Sequence, residues 1–449
     1  MFREQREALD EIVTKMRSGR MKRRTFMERA LAVGLTASAA MSLLEACGGD
    51  TPSGSNGTVN LVWQSESDKT DTYKNIVEEF NKTVGKEKNI HVTWQNGPNS
   101  TDEMMTKYNN MFRARNAEID IISVDIVYPA MFAEQEWTVE ITDSMWPSSE
   151  RQKYLSAPIA GCTYNGKLWA APFRTDLGLL YYRTDLMKNA PQTFDELVSI
   201  SKDVAPSKVQ SGYVWQGSQY EGLVCNFCEV LHGYGGAILD PNDAKKVTVN
   251  TPEAVDALTM MASWVGSVSP AAVTTYTEDQ SHATWAAGNA AFMRNWPYAW
   301  VIDNDPKQSK VAQKFAIASL PHGSKESAGH SAIGGWNLAI NAFSKHQDEA
   351  WEFIKYMLSA EAQKKAVLSA SWAMVLQSIY DDSDVQSKIA FYKDLKPILQ
   401  NAKPRPVSPK YTTVSESIQR HVYSALKKSA KPDQAIKSLA DDLQRIVQS

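Results

Sequence analysis

The stretch TVNLVWQSESDKTDTYKNIVEEFNKTVGKEKNIHVTW, residues 58–94, decides the fold. Residues 58–63 and 89–94 are rich in β-branched and aromatic side chains, which predicts two strands. Between them, residues 69–84 carry apolar side chains at helical spacing. The members of that apolar face are Tyr73, Ile76, Val77 and Phe80. The order strand, helix, strand predicts a right-handed crossover unit of the α/β class.

The alternation continues beyond this stretch. Residues 101–115 predict a second helix, and the short apolar run 119–124 predicts a third, fully buried strand. An open parallel sheet binds ligands at the carboxyl ends of its strands, and those ends carry Glu66 and Asp125. A second α/β region follows, with helices predicted near 219–232, 251–268 and 278–287 and strands at 315–321 and 331–340.

Length and charge limit the classes of protein. At 449 residues the chain is too long for one ordinary hydrophobic core, which predicts two or more domains. Its formal net charge is −3, whereas proteins that bind nucleic-acid backbones carry an excess of positive charge. The sequence also contains no glycine loop of the phosphate-binding kind. We therefore expect no nucleic-acid partner and no cofactor.

The N-terminus predicts an export signal over residues 1–46. A basic start at residues 22–24 precedes an apolar run at 30–44, too short to span a membrane. Arg23 and Arg24 resemble a twin-arginine signal, and Cys47 stands where a lipoprotein cysteine is lipidated after cleavage. Residues 47–57 are rich in glycine and serine and predict a flexible tether. The alternative is an N-terminal helix of a cytosolic protein.

The remaining cysteines and the isolated histidines predict structural roles. Cys225 and Cys228 have CxxC spacing, but they lie in an apolar helical stretch without further metal ligands nearby. Two cysteines within one helical turn also pair poorly as a disulfide. His232 and His330 each stand alone, which favours satisfied structural histidines over a metal site.

Several motifs together resemble a known family. They are GKLWAAPFRTDLGLLYYRTDL at 166–186, GNAAFMRNWPY at 288–298, IGGWNLAI at 333–340 and AKPRPVSPKY at 402–411. In this order they resemble the extracellular solute-binding proteins of ABC sugar importers, most closely the trehalose- and maltose-binding type. The resemblance implies an α/β, two-lobe periplasmic-binding-protein-like fold with a hinge and an interlobe ligand cleft. The first lobe would comprise 58–173 and 314–358, and the second 174–313 and 359–449.

The resemblance also implies which residues hold a sugar. Carboxylates and arginines form strong hydrogen bonds with hydroxyl groups, and flat aromatic rings cover the C–H face of a sugar. The positions that match are Glu66, Asp125, Asp176, Trp296, Tyr298 and Trp336. Gly335 permits close backbone approach to a ligand, and Arg405, held between two prolines, is a candidate donor to sugar hydroxyls. Arg174, two residues before Asp176, is the ninth candidate. Arg174 departs from the pattern, because some relatives have an aromatic residue there. The loop after the second predicted strand departs as well. Family members often have an arginine or another polar anchor there, whereas residues 96–100 of this sequence read NGPNS.

These residue types have other structural roles as well. A carboxylate at a strand end also caps helices or lies in a solvated loop. Tryptophans also pack in cores, and an arginine between two prolines, as at Arg405, also forms surface ion pairs. For these residues the sequence leaves both interpretations open.

The function that follows is delivery of a disaccharide, trehalose or maltose, by a lipid-anchored monomer to the permease of an ABC importer. Such a protein lies on the outer face of the cell membrane or in the periplasm and catalyses no reaction. One alternative is a secreted glycoside hydrolase, for which Glu66, Asp125 and Asp176 supply candidate carboxylate pairs. A second alternative is a binder of another solute, such as a polyamine, since acidic side chains attract cations.

Overall fold

The computed structural model describes residues 57–448 except 99, 206, 242, 324, 325 and 327. The predicted signal at 1–46, the lipidation site at Cys47 and all but the last residue of the tether lie outside the described residues. In the part of the chain that is described, no helix is both long and apolar enough to cross a membrane.

Thirteen strands and seventeen α-helices are defined within these residues. The strands are β1 Val59–Ser65, β2 Ile90–Asn96, β3 Ile121–Asp125, β4 Thr163–Tyr164, β5 Lys167–Leu168, β6 Ala171–Leu177, β7 Leu179–Arg183, β8 Ser211–Val214, β9 Leu239–Asp240, β10 Asp243–Val247, β11 Ala290–Asn295, β12 Phe315–Ala318 and β13 Ile333–Ile340.

The helices are α1 Thr72–Lys82, α2 Val84–Lys88, α3 Thr101–Arg113, α4 Pro129–Glu134, α5 Ser148–Arg151, α6 Ser156–Gly161, α7 Phe194–Val204, α8 Glu221–Gly233, α9 Pro252–Trp264, α10 Glu278–Ala286, α11 Ala299–Asp303, α12 Gln347–Leu358, α13 Ala360–Ala370, α14 Ser383–Lys388, α15 Leu395–Asn401, α16 Tyr411–Leu426 and α17 Pro432–Gln448.

The first sheet has the strand order β2-β1-β3-β13-β6. Strands β1 and β3 run parallel, which confirms the predicted crossover topology. Strand β13 enters from far along the chain and pairs antiparallel with both β3 and β6. The sheet is therefore mixed, and the carboxyl ends of β1 and β3 lie next to the amino-terminal half of β13. In register, Trp336 of β13 pairs with Asp125 on one side and Arg174 on the other.

The second sheet has the order β12-β7-β11-β8. Strand β11 runs antiparallel to β7 and parallel to β8, and all six of its residues are buried. The core on this sheet includes side chains of helices α8, α9, α16 and α17. Helix α7 begins at Phe194 as predicted, because Thr193 and Glu196 form a reciprocal capping box.

The strand pairing changes two of the predicted lobe limits. Strand β6 stays in the first sheet as far as Leu177, beyond the limit predicted at 173, and the chain crosses to β7 at Gly178. Strand β12 lies in the second sheet, although it falls in the segment 314–358 predicted for the first lobe. Both differences arise because strand pairing is a long-range property that the local pattern does not encode. The rest of the predicted division into lobes stays a prediction.

Cys225 and Cys228 are free thiols, buried in helix α8, as their apolar surroundings predicted. His232 is also buried in α8, but its Nδ1 has no hydrogen-bond partner among the described residues. The sequence predicted a structural histidine whose hydrogen bonds are satisfied, and at Nδ1 of His232 that prediction is not met. His330 Nδ1 forms a hydrogen bond with the carbonyl oxygen of Asn401, whereas its Nε2 has none among the described residues.

Candidate ligand-binding site

A cavity of about 410 Å³ lies where the two sheets contribute strand ends and helix starts. Its volume is within the range of about 300–1,000 Å³ that is usual for small-molecule sites. All nine residues predicted to bind a ligand line it: Glu66, Asp125, Arg174, Asp176, Trp296, Tyr298, Gly335, Trp336 and Arg405. Trp296 follows β11 of the second sheet and Trp336 lies in β13 of the first, so aromatic side chains from both sheets reach one space.

Arg174 on β6 links two of the predicted carboxylates. Its Nη2 donates to Oε1 of Glu66 at 2.8 Å, and its Nε lies 3.6 Å from Oδ2 of Asp176. The guanidinium also lies over the ring of Trp372, 4.4 Å from the centroid. The hydroxyl of Tyr73 donates to the same oxygen of Glu66. Arg174 is therefore held in place by ion pairs and by stacking, and it is not free to leave the cavity wall.

The second oxygen of Glu66 is buried and has no hydrogen-bond partner among the described residues. Burial raises the pKa of Glu66 above its ordinary value, and the nearby Arg174 only partly opposes this effect. Burial likewise raises the pKa of Asp176, again against the influence of Arg174. A buried, unpaired carboxylate oxygen is costly to leave alone, so a ligand hydroxyl that donates to it gains affinity.

Arg405 forms a second ion-pair group on the cavity wall. Its Nη2 lies 2.5 Å from Oδ1 of Asp125, and its Nη1 lies 2.7 Å from Oε1 of Glu221. Glu221 also accepts hydrogen bonds from the hydroxyls of Tyr411 and Ser415. Burial raises the pKa of Glu221 to about 7, although Arg405 opposes the shift. The side chain of Arg405 is 1% exposed, so it forms a buried link between strand β3 and helix α8, not a surface ion pair.

Trp296 is held at several points. Its indole Nε1 donates to Oε1 of Glu278 at 3.1 Å, and its carbonyl oxygen accepts from the hydroxyl of Tyr181 at 2.7 Å. Glu278 is the first residue of α10 and also accepts from the hydroxyl of Tyr220 at 2.6 Å. The indole is half-buried at the cavity surface, and its orientation is fixed by the fold before any ligand binds.

Gly335 shapes the backbone beside Trp336. It has φ +129, and a Cβ there would lie 2.3 Å from the carbonyl oxygen of Arg174. The sequence predicted that this glycine permits close approach to a ligand. The position that a Cβ would occupy points toward strand β6 and not toward the cavity. The glycine therefore permits the close approach of β13 to β6. The ladder shifts register between Trp336 and Asn337, directly after this position.

The cavity is also lined by residues that the sequence did not single out, among them Lys69, Tyr220, Glu221, Glu278, Asp279 and Trp372. Lys69 and Asp279 form an ion pair that joins the segment after β1 to helix α10. For Glu221 the sequence holds one signal, a carboxylate in the first turn of a largely apolar helix. Trp372 follows α13 at a turn, and nothing local in the sequence marks it as facing the cavity.

Residues 65–364 match the family described as bacterial extracellular solute-binding protein. The protein belongs to this family. This solute-binding protein is 37% identical over 365 residues to a probable ABC transporter-binding protein of Deinococcus radiodurans, covering 78% of the chain and 85% of the relative. It is also 24% identical over 281 residues to a maltotriose-binding protein of Pyrococcus abyssi, covering 62% and 59%.

Among solved structures, the solute-binding protein matches maltose-bound T. maritima MalE3 with a TM-score of 0.81 and 34% identity, covering 86% of this chain and 100% of that one. A tagatose-bound solute-binding protein from Thermotoga lettingae, at 22% identity and a TM-score of 0.77, supports the fold alone. The fold is thus periplasmic-binding-protein-like, as predicted. The protein is an extracytoplasmic, non-enzymatic component of an ABC transporter.

Proposed function

We propose that this solute-binding protein binds a disaccharide, with trehalose or maltose as the first candidates, and delivers it to the permease of an ABC importer. One observation carries the proposal. Trp296 and Trp336 come from different sheets and line the same cavity of about 410 Å³. Asp125 and Asp176 line it with them. Flat rings and carboxylates together recognise the C–H faces and the hydroxyls of a sugar.

The nine predicted residues among those that line the cavity are proposed as the ligand contacts. Trp296, Tyr298 and Trp336 would cover the apolar faces of the sugar rings. Glu66 and Asp176 would accept from hydroxyl groups, and Arg405 would donate to them. The match to maltose-bound MalE3, which covers 100% of that chain at 34% identity, supports a disaccharide of glucose as the first probe.

Calorimetric titration with trehalose, maltose and other disaccharides tests the proposal. We expect one disaccharide to bind, and we expect Trp296→Ala and Asp176→Asn each to weaken that binding while the protein stays folded. Loss of a hydrogen bond to a charged group costs about 1.5–3 kcal/mol, which corresponds to an affinity loss of about tenfold to a hundredfold. Trp169→Ala serves as the matched control, because Trp169 is half-buried and lies outside the cavity.

The same titration addresses the alternatives. Binding of spermidine or putrescine in place of every sugar would favour a polyamine binder and would reject the disaccharide proposal. Release of glucose from either disaccharide during the titration would contradict a protein that only binds. Full affinity in both variants would reject the assignment of the ligand contacts.

We further propose that the protein is exported through the twin-arginine signal and is anchored to the membrane by lipid on Cys47. The basis is the sequence of residues 1–57 alone. Several acyl chains would be required, because a single chain binds membranes only marginally. Metabolic labelling with a radioactive fatty acid tests the anchor. Cys47→Ser should abolish the labelling, while an equally labelled Cys47→Ser protein would reject the anchor.

We also propose that the two lobes close around the ligand by hinge motion. The ion pairs Lys69–Asp279 and Arg405–Asp125 support a closed arrangement, since each joins segments that the lobe assignment separates. Small-angle scattering with and without the disaccharide that binds best should show a smaller radius of gyration for the complex. An unchanged radius would argue against closure.

A further inference from the structure

Directly behind Trp296 lies a buried ion pair that plays no part in the proposed ligand contacts. Arg294 on β11 is 0% exposed, and Glu229 on α8 is 3% exposed. Nε of Arg294 donates to Oε2 of Glu229 at 2.8 Å, and Nη2 donates to Oε1 at 2.5 Å. Buried ion pairs of this kind often stabilise a protein less than apolar residues of the same size would. Its stability contribution is therefore a poor explanation for its presence.

The pair is enclosed by groups that fix its geometry. Nη1 of Arg294 donates to Oε1 of Gln216 at 3.1 Å, and Oε1 of Glu229 accepts from the backbone N–H of Ala332 at 3.2 Å. Gly178 leaves the necessary space, because a Cβ at that position would lie 1.8 Å from Oε1 of Glu229. These contacts consequently fix the orientation of the Arg294 guanidinium plane.

That plane faces the indole of Trp296. Residues 294 and 296 are two apart and follow the alternation of a strand, so their side chains point to the same side. The Cζ of Arg294 lies 3.8 Å from the centroid of the Trp296 ring. One face of the indole is therefore occupied by a guanidinium, and the face turned away from Arg294 is the one available to a ligand in the cavity.

The edge of the same ring is confined as well. A Cβ on Gly334 would lie 3.2 Å from Cζ3 of Trp296 and 3.3 Å from Cβ of Asp176. The indole Nε1 is bonded to Glu278. The ring is thus held from behind, at one edge and at its nitrogen.

We propose that Arg294 is a positioning residue for the ligand platform: it stacks on the rear face of Trp296 and keeps the indole in the orientation that a sugar ring requires. This inference rests on the proposed function, in which Trp296 covers a sugar. The flat guanidinium suits the role, because it stacks on aromatic faces whereas the ammonium group of lysine has no comparable surface. Glu229 keeps the guanidinium plane fixed and compensates its positive charge in the buried interior.

The test uses the double variant Arg294→Met with Glu229→Gln, which removes both charges and leaves neither unpaired. Arg294→Lys is the second variant, in which the charge remains and the flat surface is lost. The matched control is Arg183→Met with Asp185→Asn. Arg183 is also a buried arginine of the second sheet, and its Nε lies 2.6 Å from Oδ1 of Asp185.

The first measurement needs no ligand. The near-ultraviolet circular dichroism of Trp296 is obtained as the difference between each protein and the same protein carrying Trp296→Phe. We expect this difference signal to fall strongly in the Arg294→Met, Glu229→Gln variant and clearly in Arg294→Lys, and to persist in the Arg183 control. A Trp296 signal that either Arg294 variant leaves unchanged would overturn the proposal.

The second measurement is calorimetric affinity for maltose and trehalose, made with and without Trp296→Ala. We expect the double Arg294 variant to lose about tenfold in affinity, the size of one aromatic contact, and to lose nothing further once Trp296 is alanine. A loss of equal size in the alanine background would show that Arg294 acts by another route. If the wild type binds no sugar, the proposed function fails, and the spectroscopic result still decides the role of Arg294.

Discussion

Nη1 of Arg405 lies 2.7 Å from Oε1 of Glu221, and the two side chains come from segments 184 residues apart. The same arginine reaches Asp125 at the end of β3. A residue identified from a sequence resemblance is therefore held in place by a carboxylate that the resemblance did not include. Binding sites of this kind depend on the partners that orient the contact residues as well as on the contacts themselves.

Replacement of Glu221 by alanine should destabilise the protein and weaken sugar binding. It leaves Arg405 with Asp125 alone, and breaking a buried ion pair in this way costs about 3–5 kcal/mol of the free energy of unfolding. Urea denaturation measures the loss of stability, and calorimetry measures the affinity. Glu361→Ala is the matched control, since Glu361 lies in the first turn of α13 and is exposed. Equal stabilities of the two variants would contradict the role assigned to Glu221.

Much of the candidate site was predictable because of a rule about parallel strands. The carboxyl ends of β1 and β3 meet at one edge of a sheet, so Glu66 and Asp125 were expected to face a common space. Both line the cavity. Trp296 and Trp336 were predictable through the family resemblance, which implies aromatic ligand contacts at both positions, and both line the cavity as well.

The rest depends on contacts between distant segments. Trp372 faces the cavity because its turn packs against Arg174, and no local pattern encodes that contact. Strand β12 joins β7 through backbone pairing, which is nearly independent of side-chain type. The local sequence does not indicate the role of Arg294, because a charged residue in a short apolar strand is normally predicted to be exposed to solvent. Its burial depends on Glu229, 65 residues earlier in the chain.

Protonation of His232 should make the protein less stable as the pH falls. Burial lowers the pKa of this histidine from 6.5 to about 3, so the unfolded chain takes up a proton before the folded protein does. The stabilising contribution is complete above pH 6.5 and is lost as the pH falls toward 3. At pH 5 the loss amounts to about 2 kcal/mol. Urea denaturation of wild type and His232→Asn between pH 5 and 7.5 should show a smaller dependence on pH in the variant. Substitution of the exposed His91 by asparagine provides the control, and identical pH dependence of wild type and His232→Asn would refute the prediction.

The thiols of Cys162, Cys225 and Cys228 should resist alkylation in the folded protein. All three are buried and free, and burial raises the pKa of each thiol above its usual range. Since the thiolate is the reactive form, iodoacetamide at pH 8 should modify none of them until denaturant is added. The experiment uses Cys47→Ser, so that the fourth cysteine does not react. Peptide mass spectrometry locates the modified sites. Cys225 lines the ligand cavity but is buried, so rapid labelling of Cys225 without denaturant would show that the cavity is far more open than the structure indicates.

Gly335→Ala should impair both stability and ligand binding. With φ +129 the backbone adopts a conformation that side-chain-bearing residues rarely take, and the new Cβ would lie 2.3 Å from the carbonyl oxygen of Arg174. Conformational strain alone costs about 1–3 kcal/mol, and relief of the clash must move β13 away from β6 and carry Trp336 with it. Gly166→Ala separates the two effects, because Gly166 has φ +75 but nothing within 4 Å of its Cβ position. We expect Gly166→Ala to lose stability in urea denaturation and to keep full affinity in calorimetry, whereas Gly335→Ala should lose both. Full sugar affinity in Gly335→Ala would mean that Trp336 does not depend on the close approach of these two strands.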